Sequence, residues 1–402
     1  MPAKTELNMR PRALLAALWR QLWHHGWLRR VGFILAAIVI LITSVLYGIA
    51  EWYIHKHNSE PLVLGASFIP DYAESYGLNP QQTLQAMLEP ASQGGLGLKQ
   101  VRLVSYWSDT EPTPGHYDFS TLDWEFALAN KYGAKVSLSI GLRQPRWPEC
   151  HQPSWVSITP TNGSSWEPQL YSFMHKVVAR YKDNPALSDY ELENEFFMKV
   201  FGTCQNFDRN RLVSEFNMVK KWDPDHKVIV SRSDNWIGIP IGKPTPDEFA
   251  ISVYKRVWDN MVTHRYFEYP LPPWFYAALA GSEEILSGKD MIIHELQAEP
   301  WTPNGLQITQ ISTKEMAKSM NADILKKRIK YGEDTGMRTI DLWGAEWWYW
   351  MKTKNNDPSD WNVVQQAAIQ AAQQDQKLAN QKHKSAALIP DQTIGSLQIP
   401  RS

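Results

Sequence analysis

From Pro61 onward, short apolar runs alternate with longer amphipathic stretches, and no other feature restricts the fold of this chain as much. The apolar runs fall at residues 62–67, 100–105, 135–140, 189–193, 227–231, 249–253, 290–294 and 338–343, each of strand length. Helical patterns lie between them at 80–88, 120–131, 167–181, 208–221, 272–287 and 314–331. Strands separated by helices imply an α/β chain with a parallel sheet. Eight such units over roughly 300 residues predict a (β/α)8 TIM barrel. A doubly wound open sheet is the competing fold. It is disfavoured because GASFIPDYAE, after the first strand, has no Gly-rich phosphate turn.

Ahead of this region, residues 31–50 read VGFILAAIVILITSVLYGIA, with no charged side chain. That is the length of a single transmembrane helix; a buried core helix is the alternative. Lys4, Arg10, Arg12, Arg20, Arg29 and Arg30 precede the run, with Glu6 the one acid among them. The positive-inside rule then puts the N-terminus in the cytoplasm and the rest outside it. Trp23, Trp27, Trp52 and Tyr53 suit the two interfaces, and no clear A-x-A cleavage site follows. The expected organisation is a cytoplasmic segment 1–30, a membrane helix 31–50, a juxtamembrane linker 51–60 and a catalytic barrel 61–361. An Ala/Gln-rich tail, 362–402, follows; its first part can extend a last helix and its end has little to pack.

Cys150 and Cys204 are the two cysteines, and both fall in the exported part, where a disulfide persists. They are placed on loops after consecutive strands, so a bridge is expected, with two unconnected thiols as the alternative. Their spacing does not suit a metal, and no metal or other cofactor is expected. Lys and Arg total 41 against 42 Asp and Glu, which gives no basic surface for nucleic acid. The 19 Trp are many for this length. Most belong in a core, but indole rings also stack on sugars, so an oligosaccharide or polysaccharide partner fits. Oligomeric state is not legible.

A barrel of this kind builds its site at the C-terminal ends of its strands. The fourth strand region, YELENEFF, puts Asn194 and Glu195 there, and the seventh, MIIHELQAEPW, puts Glu295 there with Glu299 just beyond. Two carboxyl groups on opposite walls of one cavity are what glycosidic cleavage requires. Glu193 is expected on the face of Glu195 but deeper, Glu111 as a loop brace, and His294 as a wall residue pointing away from Glu295. Trp107, Arg143, Trp147, Trp236, Trp258, Trp301, Trp347 and Trp348 lie near strand ends, about half of them expected in the groove. Asp71, Arg232 and Asp234 are either polar contacts there or loop ion pairs.

With these residues in view, the chain resembles clan A of the glycoside hydrolases over most of residues 62–350. Those barrels carry an Asn-Glu pair after strand four and a second Glu ending strand seven. The stretch VRLVSYWSDTEPTPGHYDFSTLDWEFALANKYGAKVSLSIG is also close to a segment of several members. The resemblance implies Glu195 as general acid/base, Glu295 as nucleophile and Asn194 as partner of the sugar 2-hydroxyl. It further implies that Arg102 and Tyr254 hold the nucleophile ionised, and that Trp343 is the platform under the sugar. Clan members retain anomeric configuration, which implies carboxyl groups about 5–5.5 Å apart and a covalent intermediate. The bond cleaved would be β-glycosidic, at the cell surface. A catalytically silent carbohydrate-binding barrel and a transglycosylase are the other readings.

Overall fold

The computed structural model describes residues 26–158, 163–199, 201–233 and 242–387. Eight parallel strands close into a barrel: β1 (Val63–Ser67), β2 (Gln100–Val104), β3 (Lys135–Ile140), β4 (Leu187–Leu192), β5 (Lys227–Ser233), β6 (Glu248–Val253), β7 (Met291–Gln297) and β8 (Thr339–Trp343). Neighbours in space are neighbours in sequence, and β8 pairs with β1 to remove the edges. This is the TIM-barrel architecture expected from the alternation.

The wall alternates with period two. In β2 and β3, Val101, Leu103, Val136, Leu138 and Ile140 join the apolar layer beneath the helices. The intervening side chains turn into the lumen and are polar. There Arg102 bonds Glu191, Gln100 bonds Asp341 at 3.0 Å, and Ser139 donates to Glu191 at 2.5 Å. Parallel strands covered on both faces are usually apolar throughout, so this half of the barrel departs from the rule. In the other half Ile229, Ala250 and Ile292 form an apolar cluster inside β5, β6 and β7.

Helix α1 (Gly26–His57) holds a stretch long and apolar enough to cross a membrane, with mean hydropathy 2.6 and 6% of it buried. The helix does not stop at residue 50. Residues 51–57, expected as a linker, continue it, and Ala50 and Tyr53 are fully buried against the helix α6 (Pro273–Ser287). Gly281 makes this possible: a Cβ there would sit 2.8 Å from Ile49 Cγ2. The Tyr53 hydroxyl donates to Asp290 at 2.6 Å, and Lys56 and His57 meet Glu284.

Two further boundaries differ from expectation. The stretch 314–331 is split into Thr313–Met316 and α7 (Ala322–Glu333). Asn321 caps α7 by accepting the Ile324 N–H at 3.0 Å, and the Ser319 hydroxyl turns aside to Trp301. The last helix, α9 (Ser359–Ala387), passes the expected barrel boundary at 361 and packs on α7 and on α8 (Ala345–Lys354). Trp361, Val364 and Ala371 are buried, and Asp375 accepts the Leu62 N–H at 3.0 Å, so the first part of the Ala/Gln-rich segment packs on the barrel. The remainder of that tail, from 388, lies outside the described residues.

Candidate active site

Glu195 and Glu295 both stand at the C-terminal mouth of the barrel, and each is placed there by a local departure from regular strand geometry. Strand β4 ends at Leu192, and Glu193 and Glu195 take positive φ, 56° and 45°. Such angles are costly for residues with a Cβ and cluster at functional sites. The bend turns Glu195 inward, where its backbone N–H meets the Ser231 hydroxyl at 2.9 Å. It turns Glu193 the other way. Glu193 accepts the backbone N–H of Leu142 and the Arg211 guanidinium, at 2.6 and 2.8 Å, so it braces a loop instead of sharing the face of Glu195.

Strand β7 makes a comparable adjustment. Its pairing with β6 and β8 slips by one residue after Ile293, a bulge. Regular alternation would send Glu295 outward, because Ile292 and His294 already face the lumen. The bulge brings Glu295 inward as well. His294 therefore does not point away from it. His294 lies fully buried in the lumen, its Nε2 3.1 Å from the Ser137 hydroxyl and its Nδ1 3.4 Å from Glu191.

The two carboxyl groups meet different surroundings. Glu295 accepts from Arg102 Nη1 and from the Tyr254 hydroxyl, both at 2.6 Å, one on each oxygen. Arg102 is fully buried, and its other donors go to Glu191 and to Asn194 Oδ1 at 2.9 Å. Burial works against the Arg102 charge, but Glu191 and Glu295 outweigh it and its pKa is raised. Glu195 has no such clamp, and its buried Oε1 has no hydrogen-bond partner among the described residues. Burial first, then the Glu295 and Glu149 charges, push its pKa up to about 8.

Asn194 is oriented on both sides, by Arg102 at its oxygen and by donating to Glu149 at 3.0 Å. Trp343 is buried at the mouth, with the Arg146 guanidinium over its ring at 4.2 Å. Arg146 also covers Tyr72 and pairs with Glu299 at 2.8 Å, so Glu299 belongs to this wall. Trp147, 62% exposed, stands on the loop after β3 with its edge toward Phe201. Trp301 packs against Tyr254.

Other expected groove residues lie elsewhere. Trp107 is fully buried beneath β2, its indole N–H on Glu111 at 2.8 Å and its ring stacked with Phe173. Trp347 and Trp348 are core, and Trp348 donates to the Ala298 carbonyl. Trp258 packs on Tyr266 in an antiparallel ribbon, Arg256–Trp258 with Tyr266–Glu268. Arg143 holds the Asn194 carbonyl at 2.7 Å from behind. Arg232 acts on Glu283 in the helix layer, and Asp71 is exposed. Glu111 braces its loop as expected, also taking the Gly115 N–H. Asp234 and Trp236 fall outside the described residues.

Sequence reading missed Glu149, Glu191, Arg146 and Ser231. Glu149 is buried behind Asn194, and burial raises its pKa to about 7. Its place follows from the bond between Cys150 and Cys204, which ties the loops after β3 and β4 together. The sequence signal for that was present in the cysteine pair.

No family model matches the chain. Among curated proteins it is similar to a β-galactosidase of Haloferax lucentense, 27% identical over 136 residues, 30% of this chain and 20% of that one. Among solved structures it is similar to a β-galactosidase from the haloarchaeon Halorubrum lacusprofundi, with a TM-score of 0.50, 13% identity and coverage of 77% of this chain and 58% of that one. An exo-β-1,4-mannosidase from Opitutaceae bacterium strain TAV5 gives 0.52 and 14%, covering 78% and 60%. A GH5_18 protein of Bifidobacterium longum, solved with Manb1-4GlcNAc, gives 0.51 and 12%, covering 77% and 78%. The chain spans a fifth of the curated relative and about three fifths of the first two structures. At these identities the likeness to solved structures is one of fold, and these neighbours are glycoside hydrolases on an eight-stranded parallel barrel.

Proposed function

We propose that this chain is a retaining β-glycoside hydrolase, with Glu195 as general acid/base and Glu295 as nucleophile. One observation supports the reading: two carboxyl groups of one mouth have opposite surroundings. Glu295 has a cation and a phenol on its two oxygens, which favours the carboxylate. Glu195 is buried, unclamped and raised by its neighbours, which favours the acid. Glu195 would give its proton to the glycosidic oxygen while Glu295 attacks the anomeric carbon. Water, deprotonated by Glu195, would then release the sugar. Asn194 spends one N–H on Glu149, leaving the other for a sugar hydroxyl.

Charge asymmetry around residues 31–50 and the bridged cysteines support a single-pass anchor with the barrel outside the cytoplasm. The substrate would then be an oligosaccharide or polysaccharide at the cell surface.

The test is turnover of a panel of alkyl β-glycosides and β-linked disaccharides, whose leaving groups need a proton, as a function of pH. Glu195 must hold a proton to act as acid, and it loses that proton as pH rises through its raised pKa. The kcat/KM is therefore expected to be level below about pH 8 and to fall about tenfold per unit above it. Glu195→Gln should remove that alkaline limb. An alkaline limb unchanged in the variant would contradict the assignment, and no turnover of any glycoside at any pH would remove the hydrolase reading.

A further inference from the structure

The docking of α1 fixes which way the barrel looks. Tyr47 meets Trp274 at 5.9 Å, Ile49 and Tyr53 lie over Gly281, and Lys56 and His57 reach Glu284. Residue numbers rise together along the pair, so α1 and α6 run in the same direction. Helix α6 starts after β6, at the end of the barrel that bears Glu195 and Glu295, and finishes just before β7 at the other end. Followed backward past Trp274, α1 therefore leaves the barrel at the catalytic end. Residues 26–46 rise beyond that rim for roughly 30 Å. Up to Val45, each residue there whose burial is described is exposed.

We propose that the catalytic mouth faces the bilayer, and that the substrate is a glycan carried on a lipid of the same membrane. The substrate half of this inference rests on the hydrolase reading above. A hydrocarbon core about 30 Å thick needs about 20 apolar residues, and the run is 31–50. Docking on the barrel begins at Leu46 and Tyr47, inside that run. No spacer separates the membrane from the rim, so the mouth lies at headgroup depth. A lipid-borne sugar projects into that space directly.

A second observation agrees. Outside α1, the most exposed large apolar side chains among the described residues are Met261 and Val262, at 90% and 80%. They form the tip of the ribbon that follows β6 on the catalytic end, with exposed His264 and Arg265 beside them. Trp147 and Leu306, on the loops after β3 and β7, are exposed at that end too. An apolar tip flanked by basic groups suits a lipid interface. Ile285 and Leu286, at the far end of α6, mark the opposite face and provide the control.

The experiment uses the full chain in phosphatidylcholine vesicles, with the bond between Cys150 and Cys204 intact. A fluorophore is attached at Met261→Cys or at Ile285→Cys, and lipids carrying a headgroup nitroxide serve as quencher. The label at 261 is expected to be quenched and the label at 285 spared. The reverse pattern, or quenching at neither, overturns the orientation. Turnover of nitrophenyl β-glycosides is then compared with turnover of the same sugars on diacylglycerol in those vesicles. The double substitution Met261→Asp with Val262→Asp is expected to lower kcat/KM on the lipid-borne sugar by about tenfold or more. On the soluble glycoside it should change kcat/KM by no more than about twofold. If the wild-type chain turns over the soluble glycoside alone, the lipid-borne substrate is wrong and the hydrolase reading stands. If it turns over neither, both fall.

Discussion

Glu295→Gln is expected to lower turnover of a nitrophenyl β-glycoside on the order of 10⁴-fold or more, the scale of losing a covalent nucleophile. The amide keeps the size of the side chain and can still meet Arg102 and Tyr254, so the fold should survive. What disappears is the carboxylate whose two oxygens Arg102 and Tyr254 each hold at 2.6 Å. Glu195→Gln is expected to behave differently. With a poor leaving group it should cost about 10²–10⁴-fold, the usual range for a positioned acid. With nitrophenolate, which leaves without a proton, the bond-breaking step should be nearly spared and sugar release should become limiting. A burst of nitrophenol followed by slow turnover would register that split in a stopped-flow trace. Equal losses on every leaving group would contradict the division of labour. Full loss in Glu299→Gln, with Glu295→Gln active, would move the nucleophile four residues along the chain.

The second large effect belongs to Arg102. Its guanidinium is fully buried and bonded to Glu191, Glu295 and Asn194 together. Arg102→Met would leave two carboxylates in the lumen without their cation. Breaking a buried pair by removing one partner costs about 3–5 kcal/mol, because the remaining charge keeps its desolvation penalty. For a domain of this size that is roughly a 10 °C drop in Tm. The remaining protein should also be slow, because Glu295 would keep only Tyr254 beside its attacking carboxylate. Arg102→Lys restores a charge but not the three-way fork, and should recover stability more than rate. Calorimetry combined with kcat/KM checks both halves. An unchanged kcat/KM in either variant would reduce Arg102 to a structural brace.

The sequence carried the barrel because its strands are separated by helices of sufficient length and lack a phosphate turn. It carried the ends of β4 and β7 because YELENEFF and MIIHELQAEPW are apolar or alternating up to their acids. The alternation could not carry the side-chain directions at those ends. Positive φ at Glu193 and Glu195, and the slipped register after Ile293, are set by the closure of the barrel and leave no local mark. For that reason the directions of Glu193 and His294 read wrongly, while Glu195 and Glu295 stand at the mouth where the strand ends put them. Tryptophans read poorly for another reason. A strand-end position does not distinguish a ring aimed into the mouth from one aimed beneath the helices, and Trp107 and Trp348 take the second course. The polar lumen was visible in QVRLV and KVSLSI as a period-two pattern, although such alternation ordinarily signals an exposed face.

Trapping of the covalent intermediate is the most direct measurement. The chain would be incubated with dinitrophenyl 2-deoxy-2-fluoro-β-glycosides of glucose, galactose, mannose and xylose, then digested and sequenced by mass spectrometry. One of these sugars is expected to remain attached, as a glycosyl ester on the Glu295 side chain, and to stop turnover as it accumulates. An ester on Glu299 or Glu195, or inversion of the released sugar with no ester formed, would contradict a mouth in which Glu195 protonates what Glu295 attacks.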